Sequence, residues 1–217
     1  MYDLLIRNAK ILDGTGAPWF RGDVGVKDGY IRKIGLIDEN TEARAVVDAK
    51  GKCLSPGFID AHSHSDSTIT HTPTADSKVF QGVTLEVVGQ CGSSAAPKNM
   101  GFIEGNLGET RDILWTDMAS WMSYVEQTGI SVNIAPLVGH GTVRRQVMGT
   151  ENRPPNENDL ETMKQLVSDA MNQGAFGIST GLGYVPSKYA DTSELIELCK
   201  IVSEYGGIYA THLRNQS

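Results

Sequence analysis

The stretch that decides the fold is PGFIDAHSHSD, residues 56–66, in which an apolar run ends in two histidines one residue apart. Alternate residues of a strand point the same way, so His62 and His64 can direct two imidazole nitrogens toward one point. Neutral imidazole is a common zinc ligand, and Asp60 or Asp66 could fix the tautomers from behind. The alternative for a bare His-x-His pair is two surface histidines at a strand end, and the rest of the chain decides between the two.

The composition is that of a globular protein with a small-molecule partner. The 217 residues are 40% hydrophobic, which is enough for a core in one or two domains. The net charge of −7, with no basic cluster larger than Arg144-Arg145, argues against a nucleic-acid surface. No apolar stretch approaches the ~18 residues of a membrane helix, so we expect a cytoplasmic protein without a membrane partner. Three widely spaced cysteines give no disulfide framework.

Residues 1–54 are predicted to form a small β-module. Two strand-like runs, residues 24–26 and 30–34, flank the turn Lys27-Asp28-Gly29, which is a β-hairpin signal. A second turn at Lys50-Gly51 leads into the strand that carries the His-x-His pair.

From residue 55 to residue 217 the pattern changes to an apolar strand, a polar turn and an amphipathic helix, repeated along the chain. Helical stripes are predicted around residues 118–125, 160–171 and 192–206. Because strands that alternate with helices form a parallel sheet, active groups are expected at the carboxyl ends of the strands. The predicted strands are residues 57–62, 83–89, 131–138, 175–180 and 207–211.

Polar and metal-binding side chains follow these predicted strands, including four of the five histidines. Gly89 and Gly92 suggest a tight turn that carries the sulfur of Cys91 out of the core. The alternatives are that Cys91 is a small apolar filler and that His212 is a core histidine with satisfied nitrogens. The side chains at the strand ends are His62, His64, Cys91, His140, Ser179, Thr180 and His212.

Five motifs, at residues 55–66, 82–92, 138–144, 177–190 and 209–215, together resemble the amidohydrolase superfamily, and within it the N-acyl-D-amino-acid deacylase (D-aminoacylase) branch. The resemblance runs the whole length of the chain. The His-x-His pair is shared by the superfamily, whereas the cysteine in Val-Val-Gly-x-Cys-Gly is the discriminating mark. Related cyclic-amide hydrolases place a carbamylated lysine after strand four, where this chain reads GISTG with no lysine before Lys188.

The resemblance implies a (β/α)8 TIM barrel of the metal-dependent hydrolase type, with about five βα units present, and a small β-sandwich to which residues 1–54 contribute. It implies His62 and His64 as ligands of one metal position and Cys91 with His212 as ligands of a tighter zinc position. The expected cofactor is therefore Zn²⁺, as one or two ions.

The resemblance also implies zinc-dependent hydrolysis of the amide bond of N-acyl-D-amino acids, giving a carboxylate and a free D-amino acid. Tyr184 would face the substrate carbonyl, with a structural loop tyrosine as the alternative. His140 would lie beside the site, with a loop histidine that caps backbone groups as its alternative. Arg144 and Arg145 are either contacts for a carboxylate or a solvated pair. The alternative functions are a cyclic-amide hydrolase of the dihydroorotase or hydantoinase type and a noncatalytic metal-binding fragment.

Some parts of such an enzyme are expected beyond residue 217. A complete barrel needs about 250 residues, and the implied general base, an aspartate after strand eight, is not among the motifs present. A histidine on strand six and the groups that bind the substrate carboxylate are likewise expected further on. We therefore expect the 217-residue chain alone to be inactive, with either a second copy or a complementing C-terminal half as its partner.

Overall fold

A computed structural model of the chain describes residues 1–97, 102–104, 110–112 and 114–215. The chain divides into two compact units, Met1–Gly57 and Phe58–Ser217. The sequence predicts this boundary after residue 54. Within the described ranges, every helix is too short or too polar to cross a lipid bilayer.

The first unit is a five-stranded sheet. Its strands are β1 Tyr2–Ile11, β2 Phe20–Lys27, β3 Tyr30–Gly35, β4 Ala43–Asp48 and β5 Cys53–Leu54. They are paired in the order β3-β2-β1-β4, with β5 also paired to β1. The hairpin between β2 and β3 turns at Asp28 and Gly29, which both have positive φ, 54° and 76°, as a type I′ turn requires. The small core of this unit contains Ala9, Ile11 and Val24.

The second unit contains the parallel strands that the sequence predicts. Its strands are β6 Phe58–Asp60, β7 Val83–Val88, β8 Phe102–Glu104, β9 Thr110–Asp112, β10 Asn133–Pro136, β11 Val138–Gly139, β12 Gly177–Gly181 and β13 Ile208–His212. Strands β6, β7 and β10 pair in parallel, and so do β11, β12 and β13, whereas β8 and β9 form an antiparallel pair. Only Leu137 separates β10 from β11, and its amide donates to the carbonyl of Val88. Because β10 and β11 occupy the same position, the six parallel strands form one continuous sheet with five strand positions.

Helices follow the parallel strands and cover the sheet. They are α1 Asp76–Val79, α2 Met118–Thr128, α3 His140–Met148, α4 Glu157–Asn172 and α5 Thr192–Glu204, with 3₁₀ turns at Ser65–Ser67 and Ser187–Tyr189. The core lies between helices and strands, where Trp121, Met163, Val167, Ile178 and Leu198 are almost fully buried. Sequential βα units with parallel strands are the arrangement of a TIM barrel, as predicted.

Two local predictions differ from the structure. The first barrel strand ends at Asp60, so His62 and His64 lie beyond it rather than on it. The segment from His140 is a helix and not a loop, and its first residue is His140 itself. Gly141, Thr142 and Val143 are weak helix formers, which is why the pattern there gives no helical signal.

Candidate metal centre

The two histidines of the His-x-His pair lie in the turn that leaves β6. The alternation of side chains along a strand therefore does not determine their directions. The prediction that His62 and His64 point the same way because they lie on a strand is wrong. Hydrogen bonds donated by backbone amides hold the turn instead. Ser63 N donates to the backbone carbonyl of Val87 at 3.0 Å, and His62 N donates to the carboxylate Oδ1 of Asp60 at 3.2 Å. The rings still meet, with centroids 5.4 Å apart in an edge-on arrangement.

Cys91 lies in the tight turn after β7 that the flanking glycines predict. Its φ of 54° is in the left-handed region, which non-glycine residues seldom adopt and which recurs at functional sites. Gly92 also has a positive φ, 75°, and a Cβ there would come within 2.7 Å of the Gly181 amide. Ser179 on β12 ties the turn at both sides, since its hydroxyl donates to Gly89 O and accepts from Gly92 N at 2.9 Å.

Four donors lie at the carboxyl ends of three different strands, three of them in the turns after β6 and β7 and His212 as the last residue of β13. The Cys91 Sγ atom is 3.5 Å from His62 Nε2 and 3.8 Å from His212 Nδ1. One ligand atom each from His62, His64 and Cys91 lies within 4.8 Å of the others. His212 adjoins this trio through Cys91, so the sulfur lies between the His-x-His pair and His212.

The chemistry of these donors fits zinc, which takes imidazole nitrogen and thiolate sulfur. Burial lowers the pKa of His64, and the neighbouring His62 lowers it further, so the imidazole is held in the neutral form that binds metals. Burial raises the pKa of the Cys91 thiol above its ordinary value. The thiol proton must therefore leave when a metal binds.

A cavity of about 310 Å³ opens beside the donors, and His64 and Cys91 form part of its wall. Tyr184 lines the same cavity, is 53% exposed, and has its ring centroid 4.7 Å from that of His212. Arg145 is exposed at the cavity and its Nη2 donates to Val185 O at 3.2 Å. A tyrosine hydroxyl and a positive charge are therefore available to a ligand that enters the cavity.

His140 is fully buried in a separate network. Its Nδ1 is 2.8 Å from Ser187 Oγ and its Nε2 is 2.8 Å from Glu194 Oε1, so both ring nitrogens have partners other than His62, His64 and Cys91. The other carboxylate oxygen of Glu194 is 2.5 Å from Arg144 Nη1. The structure thus keeps His140 away from metal ligation and connects it to the cavity wall through its hydrogen bond with Ser187.

The same network corrects the interpretation of the two arginines. Arg144 is completely buried, and besides Glu194 it contacts the carbonyl of Arg153, at 2.6 Å from Nη2. It is neither solvated nor open to a substrate carboxylate, because it is buried and paired with Glu194. Glu194 is 50 positions along the chain, so no local pattern reveals the pair. Only Arg145 of the pair lines the cavity.

Buried polar residues beneath the His-x-His turn were not predicted as part of the site. Glu86 on β7 is completely buried and bonds to Ser63 and Ser65, while Lys78 bridges Glu86 and Asp60. Because Lys78 bonds to Asp60, the pKa of that carboxyl is lowered. The available signal is a glutamate within the apolar run of β7, because a buried charge needs a hydrogen-bonded or ionic partner.

The chain belongs to the amidohydrolase family, whose model matches residues 45–198. The D-aminoacylase of Alcaligenes xylosoxydans xylosoxydans is 37% identical over 99% of this chain and 45% of its own length. The resemblance to the D-aminoacylase branch is therefore confirmed.

Two solved structures are similar over 99% of the chain. A D-aminoacylase superposes with a TM-score of 0.92 at 35% identity, covering 46% of that protein. The N-acyl-D-glutamate deacylase of Bordetella bronchiseptica, determined with zinc and a phosphonate inhibitor, gives a TM-score of 0.89 at 37% identity, covering 45%. These matches confirm the barrel fold, and the chain spans about half the length of the relatives it matches.

Proposed function

We propose that this chain carries the zinc-binding part of a hydrolase that cleaves the amide bond of N-acyl-D-amino acids. The observation that carries the proposal is the trio His62, His64 and Cys91, whose ligand atoms lie within 4.8 Å of one another at the carboxyl ends of barrel strands. Two relatives with D-amino-acid deacylase names, one of them solved with zinc, support the substrate class.

In this proposal His62, His64, Cys91 and His212 are the metal ligands, and Cys91 is shared between two sides of the site because it contacts both His62 and His212. Zinc held there would polarise the amide carbonyl and lower the pKa of a coordinated water. Tyr184 is proposed to donate its hydroxyl to the carbonyl oxygen, since it lines the cavity beside Cys91.

A proton acceptor for the reaction is not proposed among the groups near the donors. Asp60 bonds to the Lys78 ammonium, which lowers its pKa and weakens it as a base, and His140 has both ring nitrogens engaged. The aspartate that the resemblance implies after strand eight remains the proposed base. General acid–base assistance of this kind typically contributes about 10²- to 10⁴-fold to the rate.

The cyclic-amide alternative receives less support from strand β12. Related cyclic-amide hydrolases are expected to carry a lysine there, whereas β12 presents Ser179 and Thr180, both fully engaged in bonds within the barrel. Lys188 lies exposed on the 3₁₀ turn after the strand. A small D-amino-acid derivative is therefore proposed as substrate in preference to a cyclic amide.

The proposal is tested by metal content and activity together. The purified chain is expected to retain close to one or two zinc ions per molecule in elemental analysis. Because the curated relatives are about twice as long, activity is measured on a longer chain that contains these residues, with N-acetyl-D-methionine and its L-enantiomer. Hydrolysis of the L-compound at an equal rate, or preferential hydrolysis of dihydroorotate or a hydantoin, would contradict the proposed substrate class.

Tyr184→Phe tests the proposed contact with the substrate in the same longer chain. Loss of a donor to a developing oxyanion typically lowers kcat about 10²- to 10³-fold, so a loss of that size is expected at unchanged zinc content. Tyr205→Phe is the matched control, because Tyr205 lies just past the end of α5 and its hydroxyl contacts Ser168 on α4. Equal activity in the two variants would remove Tyr184 from the reaction.

A further inference from the structure

Glu86 occupies an unusual place for a carboxylate. It lies in the middle of β7, opposite Asp60 in the register with β6, and is completely buried. Its Oε2 atom accepts hydrogen bonds from Ser63 Oγ at 2.5 Å and from Ser65 Oγ at 3.0 Å. These two serines are the residues on either side of His64, so one carboxylate oxygen holds the backbone of a metal-ligand candidate from both sides.

A second contact extends the hold to His62. The Lys78 ammonium lies 3.2 Å from Glu86 Oε2 and 2.5 Å from Asp60 Oδ2. The other oxygen of Asp60 accepts the His62 backbone amide at 3.2 Å. The chain of contacts from Glu86 through Lys78 and Asp60 therefore reaches the first histidine of the pair as well.

Packing alone does not explain an acid at this position. Burying a carboxylate costs free energy that its partners only partly return, and apolar residues of similar volume are often as stabilising or more so. The Glu86 Oε1 atom, moreover, has no hydrogen-bond partner in the described part of the chain. The bonded oxygen, Oε2, therefore has a role other than stability, which is to orient the turn that it contacts.

We propose that Glu86 is a positioning residue of the metal centre, which fixes the His62–His64 turn through Ser63, Ser65 and the Lys78–Asp60 pair. This inference rests on the proposed zinc site. Its role is to hold the two imidazoles in their ligand geometry before the metal arrives, so that binding does not have to order the turn.

The test compares zinc affinity in two variants of Glu86, measured by competition with a chromogenic chelator. Glu86→Leu removes both acceptor oxygens, whereas Glu86→Gln keeps one acceptor in the same place. Losing a residue that orients a ligand typically costs about 10- to 100-fold in metal affinity. We expect a loss in that range for Glu86→Leu and a smaller loss for Glu86→Gln.

A second readout separates orientation from general stability. With Co²⁺ in place of zinc, the visible absorption bands report the coordination geometry, and they are expected to shift in Glu86→Leu. The matched control is Asp159→Asn, which removes another largely buried carboxylate that bonds to Arg153 and Asn156 at the start of α4. The control is expected to lower stability toward urea while leaving zinc affinity and the Co²⁺ spectrum unchanged.

Should Glu86→Leu fail to fold, the hydroxyl end of the contact serves the same purpose. Ser63→Ala removes the donor of one hydrogen bond and Glu86→Gln weakens its acceptor, so their effects on zinc affinity are expected to be less than additive in the double variant. Strict additivity, or zinc affinity equal to that of the unmodified chain in folded Glu86→Leu, would overturn the positioning role alone. Absence of zinc binding by the unmodified chain would overturn the proposed function and this inference together.

Discussion

Cys91 combines a left-handed backbone, with φ of 54°, and a sulfur that contacts the imidazole of His62 in the turn after β6 and that of His212 at the end of β13. A thiolate is the softest and the only charged donor among the four ligand candidates, so it contributes most to holding a zinc ion. The backbone strain at this residue is retained because the Ser179 hydroxyl and the neighbouring glycines fix the turn.

Cys91→Ala is therefore expected to lower zinc affinity by more than the ~100-fold upper range for residues that act behind a ligand. The measurement is chelator competition, with zinc content checked by elemental analysis. Cys199→Ala is the matched control, because that thiol is also partly buried but packs against the helical core. Equal zinc content in the two variants, or a larger loss in His140→Ala than in Cys91→Ala, would contradict the assignment of the sulfur as a ligand.

Glu194 is the residue on which the buried network depends, since it accepts from both His140 and Arg144. Glu194→Ala leaves the Arg144 guanidinium buried without its carboxylate, and loss of one partner of a buried pair typically costs about 3–5 kcal/mol. Urea unfolding is expected to show a loss of that size. Glu204→Ala, an exposed change at the end of the same helix, is expected to stay within about 0.5 kcal/mol, and similar losses in both variants would argue against the network.

Helix α2 begins at a reciprocal cap in which Asp117 accepts from the Ser120 amide at 2.8 Å. Bonds from the Ser120 side chain, and then from its amide, lower the pKa of Asp117 below the ordinary 3.8. A lowered pKa in the folded state means that the cap contributes stability above pH 3.8 and loses it as the pH falls further.

Asp117→Ala is expected to cost about 1 kcal/mol of unfolding free energy at neutral pH. The difference from the unmodified chain should shrink as the pH is lowered toward about 2, because the protonated carboxyl is a weaker cap. Urea unfolding at both pH values measures this. Glu126→Ala, an exposed change on the same helix, is the control and should have a small effect at each pH; a difference for Asp117→Ala that persists undiminished in acid would exclude the cap as its source.

Much of the element order follows from the sequence alone. The five parallel strands are predicted because each is an apolar run bounded by turn residues, and α4 is predicted because Leu160, Met163 and Val167 repeat at helical spacing. Helix α3 is not predicted because Gly141, Thr142 and Val143 are weak helix formers and because the ionic partner of its buried Arg144 lies far along the chain. Its burial rests on Glu194, 50 positions from Arg144, and no local pattern contains such a contact.

The site divides in the same way between local and distant information. The donor types and the tight turn at Cys91 are local, so His62, His64, Cys91 and the flanking glycines could be named as candidates. The hydrogen bonds that fix the turns are not local, because Ser179 is 87 positions from Gly92 and Glu86 is 23 positions from Ser63. The sequence therefore predicts the ligand candidates but not the residues that orient them.

At the scale of the whole molecule, a zinc ion that binds only the folded chain must stabilise it. At a free zinc concentration 100 times the dissociation constant, the gain is about 2.7 kcal/mol. We expect zinc to raise the thermal midpoint followed by circular dichroism, and calcium to leave it unchanged because calcium takes oxygen ligands. An equal shift with both ions, or the same zinc shift in Cys91→Ala, would mean that the stabilising site lies elsewhere.

The spacing of the donors along the chain divides them into an early group and a late one. His62 and Cys91 are 29 positions apart, whereas Cys91 and His212 are 121 apart. At a synthesis rate of about 5–20 residues per second, Cys91, the last of the early group, leaves the ribosome roughly 6 to 24 seconds before His212. A zinc ion held in the proposed site would close a short loop between His62 and Cys91 and a long loop between Cys91 and His212, and the long loop carries the higher entropic cost. The proposed four-donor site is thus complete only once His212 has been synthesised.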